Sequence, residues 1–191
     1  MTTTAKTLHY CANFCEENIW QLAKQTDNPC HIVFISNPCR QVAFWQQQSA
    51  PPDQPLIWDY HVILLERRNQ QILCYDLDSR LASPLLAIDY LIASFPDPKS
   101  INRQYQPHFK VISKQCYLQN FASNRQHMRQ NQQWLSPPPA WPCIGINQNQ
   151  PDNLQQFIDS NNSQWGERYS LLALLTELSK ATPFTELGTG Q

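Results

Sequence analysis

The amino-acid sequence predicts an α+β fold, in which helices flank a central, mostly antiparallel sheet. Three observations predict it: an amphipathic helical segment near the N-terminus, a series of short strands rich in aliphatic and β-branched residues, and two helical segments near the C-terminus. A chain of 191 residues is long enough for one domain with a substantial core. We expect a single domain over residues 1–191, ordered over about residues 10–182, with a flexible tail after Pro183.

The first predicted helix begins at Cys15. Aliphatic residues recur at helical spacing between Ile19 and Ala23, and Glu16 and Glu17 lie in the first turn, where acids suit the positive end of the helix dipole. The same dipole favours the thiolate form of a cysteine, but the two adjacent acids oppose it. A nearby imidazolium would therefore contribute more than the helix dipole to activating Cys15.

Strands follow this helix. Residues 31–36 are predicted as a buried strand, and residues 41–45 as its return strand after a turn at Asn37-Pro38. Residues 56–65 and 71–78 are rich in β-branched, aromatic and aliphatic side chains, and the polar connection between them is short enough for a hairpin. Both faces of this hairpin are largely apolar, which is typical of central strands that are covered on both sides.

The register of the hairpin brings two polar side chains together. With the turn at Arg68-Asn69, His61 lies directly opposite Asp76, and their Cβ atoms are about 4.5–5.5 Å apart. A slip of one residue would send the two side chains to opposite faces. Trp58 and Tyr60 point to the other face in this register, where we expect them to pack.

The rest of the chain is mostly helical. A helix is predicted from Pro84 through Leu91, where aliphatic residues recur at helical spacing after a proline. Residues 130–142 are polar and proline-rich, which is typical of a surface crossover. The remaining predicted elements are a strand at residues 109–113 and helices at residues 117–122, 153–160 and 169–180.

Composition excludes several classes of function. A net charge of −1 gives no reason to expect a nucleic acid or a membrane as partner, and no segment approaches the ~20 apolar residues of a membrane span. Only four glycines occur, which excludes a P-loop and a dinucleotide-binding motif. The first ten residues lack the apolar core of a signal peptide, and seven cysteines, an odd number, favour reduced thiols in a cytosolic setting.

The cysteines also bear on metal binding. They form no CxxC pair and are accompanied by no HxxxH-like motif, so we expect no metal site. Six of them are expected to be small buried hydrophobes: Cys11, Cys30, Cys39, Cys74, Cys116 and Cys143.

Cys15, His61 and Asp76 supply a thiol, an imidazole and a carboxylate. These three groups can activate a sulfur nucleophile, orient its base and stabilise the charge that develops. A nucleophile helix ahead of an antiparallel sheet that carries the base resembles the papain/transglutaminase-like cysteine hydrolases. On spacing alone the alternative stays open, in which the histidine and the aspartate are only a satisfied polar pair.

Several segments, in chain order, resemble the protein N-terminal glutamine amidohydrolase family. The most specific are FCEENIW from Phe14, WDYHV from Trp58 and YDLD from Tyr75. The matches run from about residue 10 to about residue 170, so chance is a poor explanation. Asn124 stands where the pattern leads us to expect an acid. Further matching segments are VFISN at 33–37, YLQNFASNR at 117–125, His127-Met128, the prolines at 137–139, and Pro142-Cys143-Ile144.

The resemblance implies an enzyme that deamidates the side chain of an N-terminal glutamine, giving glutamate and ammonia. It places the family's catalytic triad on Cys15, His61 and Asp76, with a thioester at the cysteine. It also implies a role in an N-degron pathway, with proteins or peptides that carry a free N-terminal glutamine as substrates. We expect a single catalytic domain that is monomeric, cytoplasmic (or nuclear in a eukaryote) and independent of any cofactor.

Such an enzyme must bind a free α-ammonium, which needs carboxylate or carbonyl partners once it loses water. The predicted register sets Asp59 opposite Asp78, and facing carboxylates normally repel, so we hypothesise that one or both bind the amine. Glu16 and Glu17 are further candidates. The alternative, in which the two aspartates cap a strand end or face water, stays open.

Other functions remain possible at this point. The same triad serves cysteine peptidases and transglutaminase-like acyltransferases, which act on other amides. A non-catalytic module that binds N-termini would keep the acidic pocket without needing Cys15. A purely structural protein gives no reason for the three groups to be so arranged.

Overall fold

A computed structural model describes residues 9–145 and 151–180 of the chain. Its elements confirm an α+β fold with a mostly antiparallel central sheet. The helices are α1 (Cys15–Gln25), α2 (Ala87–Ser94), α3 (Lys114–Asn120), α4 (Leu154–Ile158) and α5 (Leu171–Ser179). The strands are β1 (Cys30–Ser36), β2 (Val42–Phe44), β3 (Leu56–Trp58), β4 (Tyr60–Arg68), β5 (Gln71–Tyr75), β6 (Leu85–Leu86), β7 (His108–Ser113), β8 (Arg129–Gln130), β9 (Gln133–Trp134) and β10 (Glu167–Tyr169). The tail predicted after Pro183 lies outside the described residues.

Six strands form the central sheet in the order β10-β7-β1-β4-β5-β6, and every neighbouring pair is antiparallel. Strand β1 is buried along its whole length, because helices cover both faces of the sheet. On one face Val62 packs in a cluster with Ile19 of α1 and Phe157 of α4. On the other face Ile63 packs in a cluster with Leu91 of α2, which also includes residues of α5. No helix in the described part of the chain is long and apolar enough to cross a membrane.

Two predicted elements differ from the structure. Strand β2 pairs with β3 in a separate two-stranded sheet, so residues 41–45 do not return beside β1. Helix α2 begins at Ala87 rather than at Pro84, because Leu85 and Leu86 first pair with β5 as a short strand. A two-residue strand is too short to show any period in the sequence.

The cysteines are less uniformly buried than expected. Cys30 and Cys74 are buried, whereas Cys11 and Cys116 are half-buried. The prediction is wrong for Cys39 and Cys143, which are exposed: the first follows a proline in a turn and the second lies in the proline-rich segment. Exposure of these two thiols shows that a cysteine in a loop need not join the core.

The turn between β4 and β5 lies one residue later than predicted. It is formed by Asn69-Gln70, and Asn69 adopts a φ of 58°, a left-handed conformation that asparagine tolerates better than most residues. Leu64 consequently pairs with Tyr75, and Arg68 pairs with Gln71. The register is therefore shifted by two residues from the predicted one.

This shift corrects two predicted pairs. His61 does not directly face Asp76, and Asp59 does not face Asp78. Strand β4 begins at Tyr60, after Asp59, and strand β5 ends at Tyr75, before Asp76 and Asp78. A shift of two residues nevertheless keeps each strand residue on its predicted face, since side chains alternate with a period of two. The imidazole and the Asp76 carboxylate can therefore still meet.

Candidate active site

The candidate site lies where the ladder between β4 and β5 ends. Leu64–Tyr75 is the last pair of that ladder, and β4 continues beyond it to Tyr60. The N-terminus of α1 reaches this edge, where Cys15 packs in one cluster with Tyr60 and Val62, the two residues that flank His61. His61 and Val62 are neighbours in β4 and point to opposite faces. The thiol therefore approaches the edge from the α1 face and the imidazole from the other.

His61 and Asp76 form a buried pair. His61 Nε2 lies 2.7 Å from Asp76 Oδ1, and both side chains are 1% exposed. The other carboxylate oxygen accepts hydrogen bonds from the Tyr90 hydroxyl at 2.8 Å and from Gln47 Nε2 at 3.0 Å. These bonds hold the carboxylate, which in turn orients the ring. His61 Nδ1 is buried and has no hydrogen-bond partner within the described ranges.

The pair is electrostatically polarised. Burial raises the pKa of Asp76, but the charge of His61 and the hydrogen bonds from His61, Gln47 and Tyr90 outweigh it and lower the pKa to about 2. Burial lowers the pKa of His61, but Asp76 outweighs it, and the net pKa is raised above its ordinary value. The site thus holds an ionised carboxylate beside an imidazole that accepts a proton readily.

The low pKa of Asp76 predicts a loss of stability in acid. Because its folded-state pKa of about 2 lies below the unfolded value of about 3.9, Asp76 stabilises the fold above about pH 4, and this contribution disappears as the pH falls toward 2. We expect about 2–3 kcal/mol of unfolding free energy to be lost from this residue. Urea unfolding between pH 5 and pH 2 measures it, and Asp76→Asn should show a flatter profile. Parallel profiles for both proteins would contradict the expectation.

Cys15 is a buried thiol, only 7% exposed. Burial raises the pKa of Cys15 well above its ordinary value, the charge of Glu16 raises it further, and the Val62 N–H only partly opposes them. The helix dipole is thus outweighed, and the resting sulfur is protonated. It lies 3.7 Å from Glu16 Oε2. Nucleophilic attack by this sulfur requires a base to remove its proton.

Two aromatic rings hold the imidazole in place. Trp58 stacks on His61 with ring centroids 5.5 Å apart and planes at 14°, and Phe44 meets it edge-on at 5.5 Å. Trp58 Nε1 also donates to Gln47 Oε1 at 3.2 Å. The prediction that Trp58 points away from His61 is wrong, because β3 ends at Trp58 and the chain bends at Asp59 before β4 begins.

Asp78 lies beside the imidazole and the Asp76 carboxylate. Ligand atoms of His61, Asp76 and Asp78 lie within 4.8 Å of one another, the one such group of three found among the described residues. Asp76 already accepts hydrogen bonds at both oxygens, and Asp78 Oδ1 accepts one from the Tyr10 hydroxyl at 2.6 Å. These groups therefore form a hydrogen-bond network rather than an open cation site.

Two of the other predicted substrate-binding acids, Asp59 and Glu16, are placed differently. Asp59 is exposed, and its carboxylate accepts a hydrogen bond from the backbone N–H of Tyr60. Glu16 is fully buried next to the Cys15 thiol. Both acids act on the pKa of His127. Burial lowers this pKa, but Glu16 and Asp59 help to raise it above its ordinary value.

A buried ion pair, not predicted from the sequence, anchors the first turn of α1. Glu17 accepts two hydrogen bonds from the Arg125 guanidinium, both at 2.7 Å, and a third from Trp141 Nε1 at 2.7 Å. Arg125 also donates to the backbone carbonyls of Trp141 and Pro142. The residue two positions after Cys15 is thereby tied to the proline-rich segment, more than a hundred residues away in sequence.

Replacing Arg125 with alanine should destabilise the protein by about 3–5 kcal/mol, because the Glu17 carboxylate would stay buried without its partner. Urea or thermal unfolding measures this loss. Arg103→Ala, which removes an exposed arginine, serves as control and should change stability by less than about 0.5 kcal/mol. Equal stability of the two variants would show that the ion pair does not hold α1.

Comparisons with known proteins find relatives over most of the chain. Residues 10–178 match the family model described as N-terminal glutamine amidase. The chain is 40% identical over 172 residues to the protein N-terminal glutamine amidohydrolase of Homo sapiens, which covers 85% of this chain and 83% of that protein. It is 38% identical to the protein of that name from Danio rerio, covering 85% of each chain. For the Drosophila mojavensis protein of the same name, the identity is 35% over 150 residues, or 73% of each chain. The matched region includes the thiol, the imidazole and the carboxylate described above.

Proposed function

The chain belongs to the N-terminal glutamine amidase family, and from that premise we propose that Cys15, His61 and Asp76 carry out its reaction through a thioester. The family confirms the resemblance seen in the sequence and the reaction class: the protein is a hydrolase that converts an N-terminal glutamine of proteins to glutamate and releases ammonia. The observation that supports the residue assignment is the buried His61–Asp76 pair, together with the packing of Cys15 against Tyr60 and Val62 on either side of His61 in β4.

The first step is attack by the sulfur. His61 Nδ1, the ring nitrogen without a hydrogen-bond partner, takes the proton of the Cys15 thiol, and the sulfur adds to the carbon of the glutamine side-chain amide. Asp76 holds the opposite nitrogen and stabilises the imidazolium that forms. The raised pKa of His61 supports this role, because the ring keeps the proton long enough to transfer it onward.

The second step expels ammonia and then adds water. The imidazolium gives its proton to the amide nitrogen, the carbon–nitrogen bond breaks, and a thioester links Cys15 to the substrate. Neutral His61 next removes a proton from a water molecule that attacks this thioester. The sulfur leaves with that proton, and the product carries a glutamate at its N-terminus.

Backbone N–H groups at the start of α1 are the proposed oxyanion donors. The first intrahelical hydrogen bond runs from the Asn18 N–H to the Phe14 carbonyl, and Phe14 gives no side-chain cap. The N–H groups of the first turn, beside the Cys15 sulfur, therefore point outward at the positive end of the helix. Donors placed there can stabilise the negative oxygen that forms when the sulfur adds to the amide.

We assign the fold to the papain/transglutaminase-like architecture, as one catalytic domain. The order of elements supports this assignment, since the nucleophile helix α1 precedes the antiparallel strand β4 that carries the base. We also propose a cytoplasmic monomer without a nucleic-acid or membrane partner. The net charge of −1 and seven cysteines without a disulfide among the described residues support this proposal.

The substrate's α-ammonium is proposed to bind among three acids near the site. Asp78 lies beside the His61–Asp76 pair, while Glu16 and Asp59 both face the His127 ring. An acidic surround favours a free amine over an acylated one, since only the free amine carries a positive charge at neutral pH.

Ammonia release tests the proposed function. A peptide that begins with glutamine should yield ammonia and gain an N-terminal glutamate, whereas its Nα-acetylated form should react at least about 100-fold more slowly. Mass spectrometry separates the competing functions. A cleaved peptide bond would indicate a cysteine peptidase, and transfer of the acyl group to an added amine would indicate an acyltransferase. Binding of the free-amine peptide without turnover would indicate a non-catalytic module.

A further inference from the structure

One carboxylate beside the nucleophile has an oxygen that the protein leaves without a hydrogen bond. We propose that Glu16 Oε1 binds the α-ammonium of the substrate, in a seat completed by Tyr60 and His127. The inference rests on the proposed function and deepens it, because it identifies the acid that distinguishes an N-terminal glutamine from every other glutamine.

Glu16 has an acceptor oxygen to which no group in the described part of the chain donates a hydrogen bond. The carboxylate is fully buried, and its Oε2 accepts a hydrogen bond from the Tyr60 hydroxyl at 3.0 Å. Oε1 makes no hydrogen bond among the described residues; the nearest cationic group is His127 Nε2, 3.5 Å away. A buried carboxylate oxygen without a hydrogen bond is costly unless a donor fills the position. An α-ammonium is such a donor.

The length of a glutamine fits the distance from this seat to the nucleophile. The amine nitrogen and the side-chain amide carbon are separated by four bonds, or about 5 Å in an extended side chain. The Cys15 sulfur lies 3.7 Å from Glu16 Oε2 on the near side of the carboxylate. A substrate anchored at Oε1 can therefore present its amide carbon to the sulfur. Asparagine is one methylene shorter and would leave the reacting atoms out of line.

The entrance to the seat is acidic. The His127 side chain is 17% exposed and covers Glu16, and its Nε2 lies 3.3 Å from the Tyr60 hydroxyl. The charged and titratable groups that act on this ring are Glu16, Asp152 and Asp59. Three carboxylates whose charges act on one partly exposed ring attract a cationic amine and repel an acidic group.

The other acids near the thiol are already engaged. Both oxygens of Glu17 accept hydrogen bonds from Arg125, and one accepts a further bond from Trp141. Asp78 accepts a hydrogen bond from the Tyr10 hydroxyl at 2.6 Å. The substrate's ammonium would therefore add a hydrogen bond at Glu16, whereas at Glu17 or Asp78 it would compete with hydrogen bonds that already exist.

Binding at this seat would also ease the chemical step. The charge of Glu16 is one of the causes that raise the pKa of the Cys15 thiol, after burial. An ammonium next to that carboxylate cancels part of its charge, so the thiol loses its proton more easily. Selectivity for a free amine should then appear in kcat as well as in KM.

Glu16→Gln tests the seat, because it removes the charge and keeps the shape. Turnover is measured on a Gln-initiated peptide and on its Nα-acetylated form, and Cys15 reactivity is measured by alkylation with iodoacetamide. We expect kcat/KM for the free-amine peptide to fall about 100-fold while the acetylated peptide changes little, so that discrimination between them collapses. Alkylation at neutral pH should be as fast as in the wild type or faster. Asp89→Asn, an exposed acid on α2, should keep the wild-type discrimination.

Four outcomes would overturn the proposal. Wild-type discrimination in Glu16→Gln would show that another group binds the amine, and equal losses on both peptides with slower alkylation would show a structural role. If Glu16→Gln fails to fold, Tyr60→Phe decides: loss of one hydrogen bond to Glu16 should raise KM for the free-amine peptide about 10-fold, and an unchanged KM overturns the seat. Wild-type protein that releases no ammonia from the free-amine peptide would instead overturn the proposed function, and the seat with it.

Discussion

Replacing Cys15 with alanine should abolish turnover, with kcat for a Gln-initiated peptide at least about 10⁴-fold below the wild type. The sulfur is the one atom that forms a bond to the substrate in the proposed route, and no neighbouring group can replace it as a nucleophile at the tip of α1. The fold should survive, because Cys15 is small and alanine fits its place in the core cluster. Ammonia release under saturating peptide measures the loss.

Cys11→Ala is the matched control for this variant. The Cys11 thiol lies four residues earlier, is half-buried, and donates to the Pro137 carbonyl at 3.4 Å. Its loss should change kcat by less than about threefold, because this thiol is held by the proline-rich segment rather than by the imidazole. Retained activity in Cys15→Ala, or equal losses in both variants, would remove Cys15 from the role of nucleophile.

Asp76→Asn should lower kcat by about 10³–10⁴-fold while the protein stays folded. The amide can keep some of the hydrogen bonds that Tyr90 and Gln47 donate, so the side chain remains near its position. It cannot stabilise an imidazolium, and it can hold the ring in the wrong tautomer. The charge of Asp76 is what overcomes the effect of burial on His61, so its loss should also lower the pKa of the imidazole.

The pH profile separates this electrostatic role from a purely structural one. As the pKa of His61 falls, the acid limb of kcat/KM should move to lower pH in Asp76→Asn. Tyr90→Phe removes only one donor to the carboxylate and should lower kcat about 10-fold, with the acid limb nearly unchanged. An Asp76→Asn enzyme within tenfold of wild-type kcat, or with an unmoved acid limb, would contradict the proposed role of the carboxylate.

The relation of His61 to Asp76 illustrates how far the sequence could predict the site. The two-residue alternation of side chains along a strand assigned the faces of the β4–β5 hairpin correctly, and those assignments survived a register error of two residues. The error arose at the turn, where the left-handed conformation of Asn69 moved the connection by one position. The register of a hairpin depends on such local turn geometry, which the pattern of hydrophobic residues does not contain.

The groups that support the triad left no signal in the sequence. Gln47 comes from the segment between β2 and β3, Trp58 from the end of β3 and Tyr90 from α2. Each reaches the His61–Asp76 pair through tertiary packing alone. Arg125 reaches Glu17 across more than a hundred residues. A glutamine, a tryptophan or an arginine in isolation is too common to predict such contacts. Only the family resemblance singled out the segments that carry Trp58 and Arg125.

The first turn of α1 departs from what its local sequence predicts. Two adjacent acids at a helix N-terminus normally face solvent, where they compensate the dipole. Here Glu16 and Glu17 are both fully buried, one beside the thiol and the other paired with Arg125. Burial of this kind overrides the rule from local sequence, since the adjacent segments cover the helix end. The ladder between β4 and β5 ends at Leu64–Tyr75, and beyond that end Cys15 of α1 packs with Tyr60 and Val62, which flank His61.

Formation of a thioester at Cys15 can be tested by trapping the intermediate. A Gln-initiated peptide is mixed with the enzyme, the reaction is quenched in acid within the first turnover, and the protein is analysed by intact and peptide-mapping mass spectrometry. We expect an adduct of the peptide minus one ammonia, located on Cys15 and absent from Cys15→Ala. A full burst of ammonia without any adduct on the protein, or an adduct on a different residue, would contradict it.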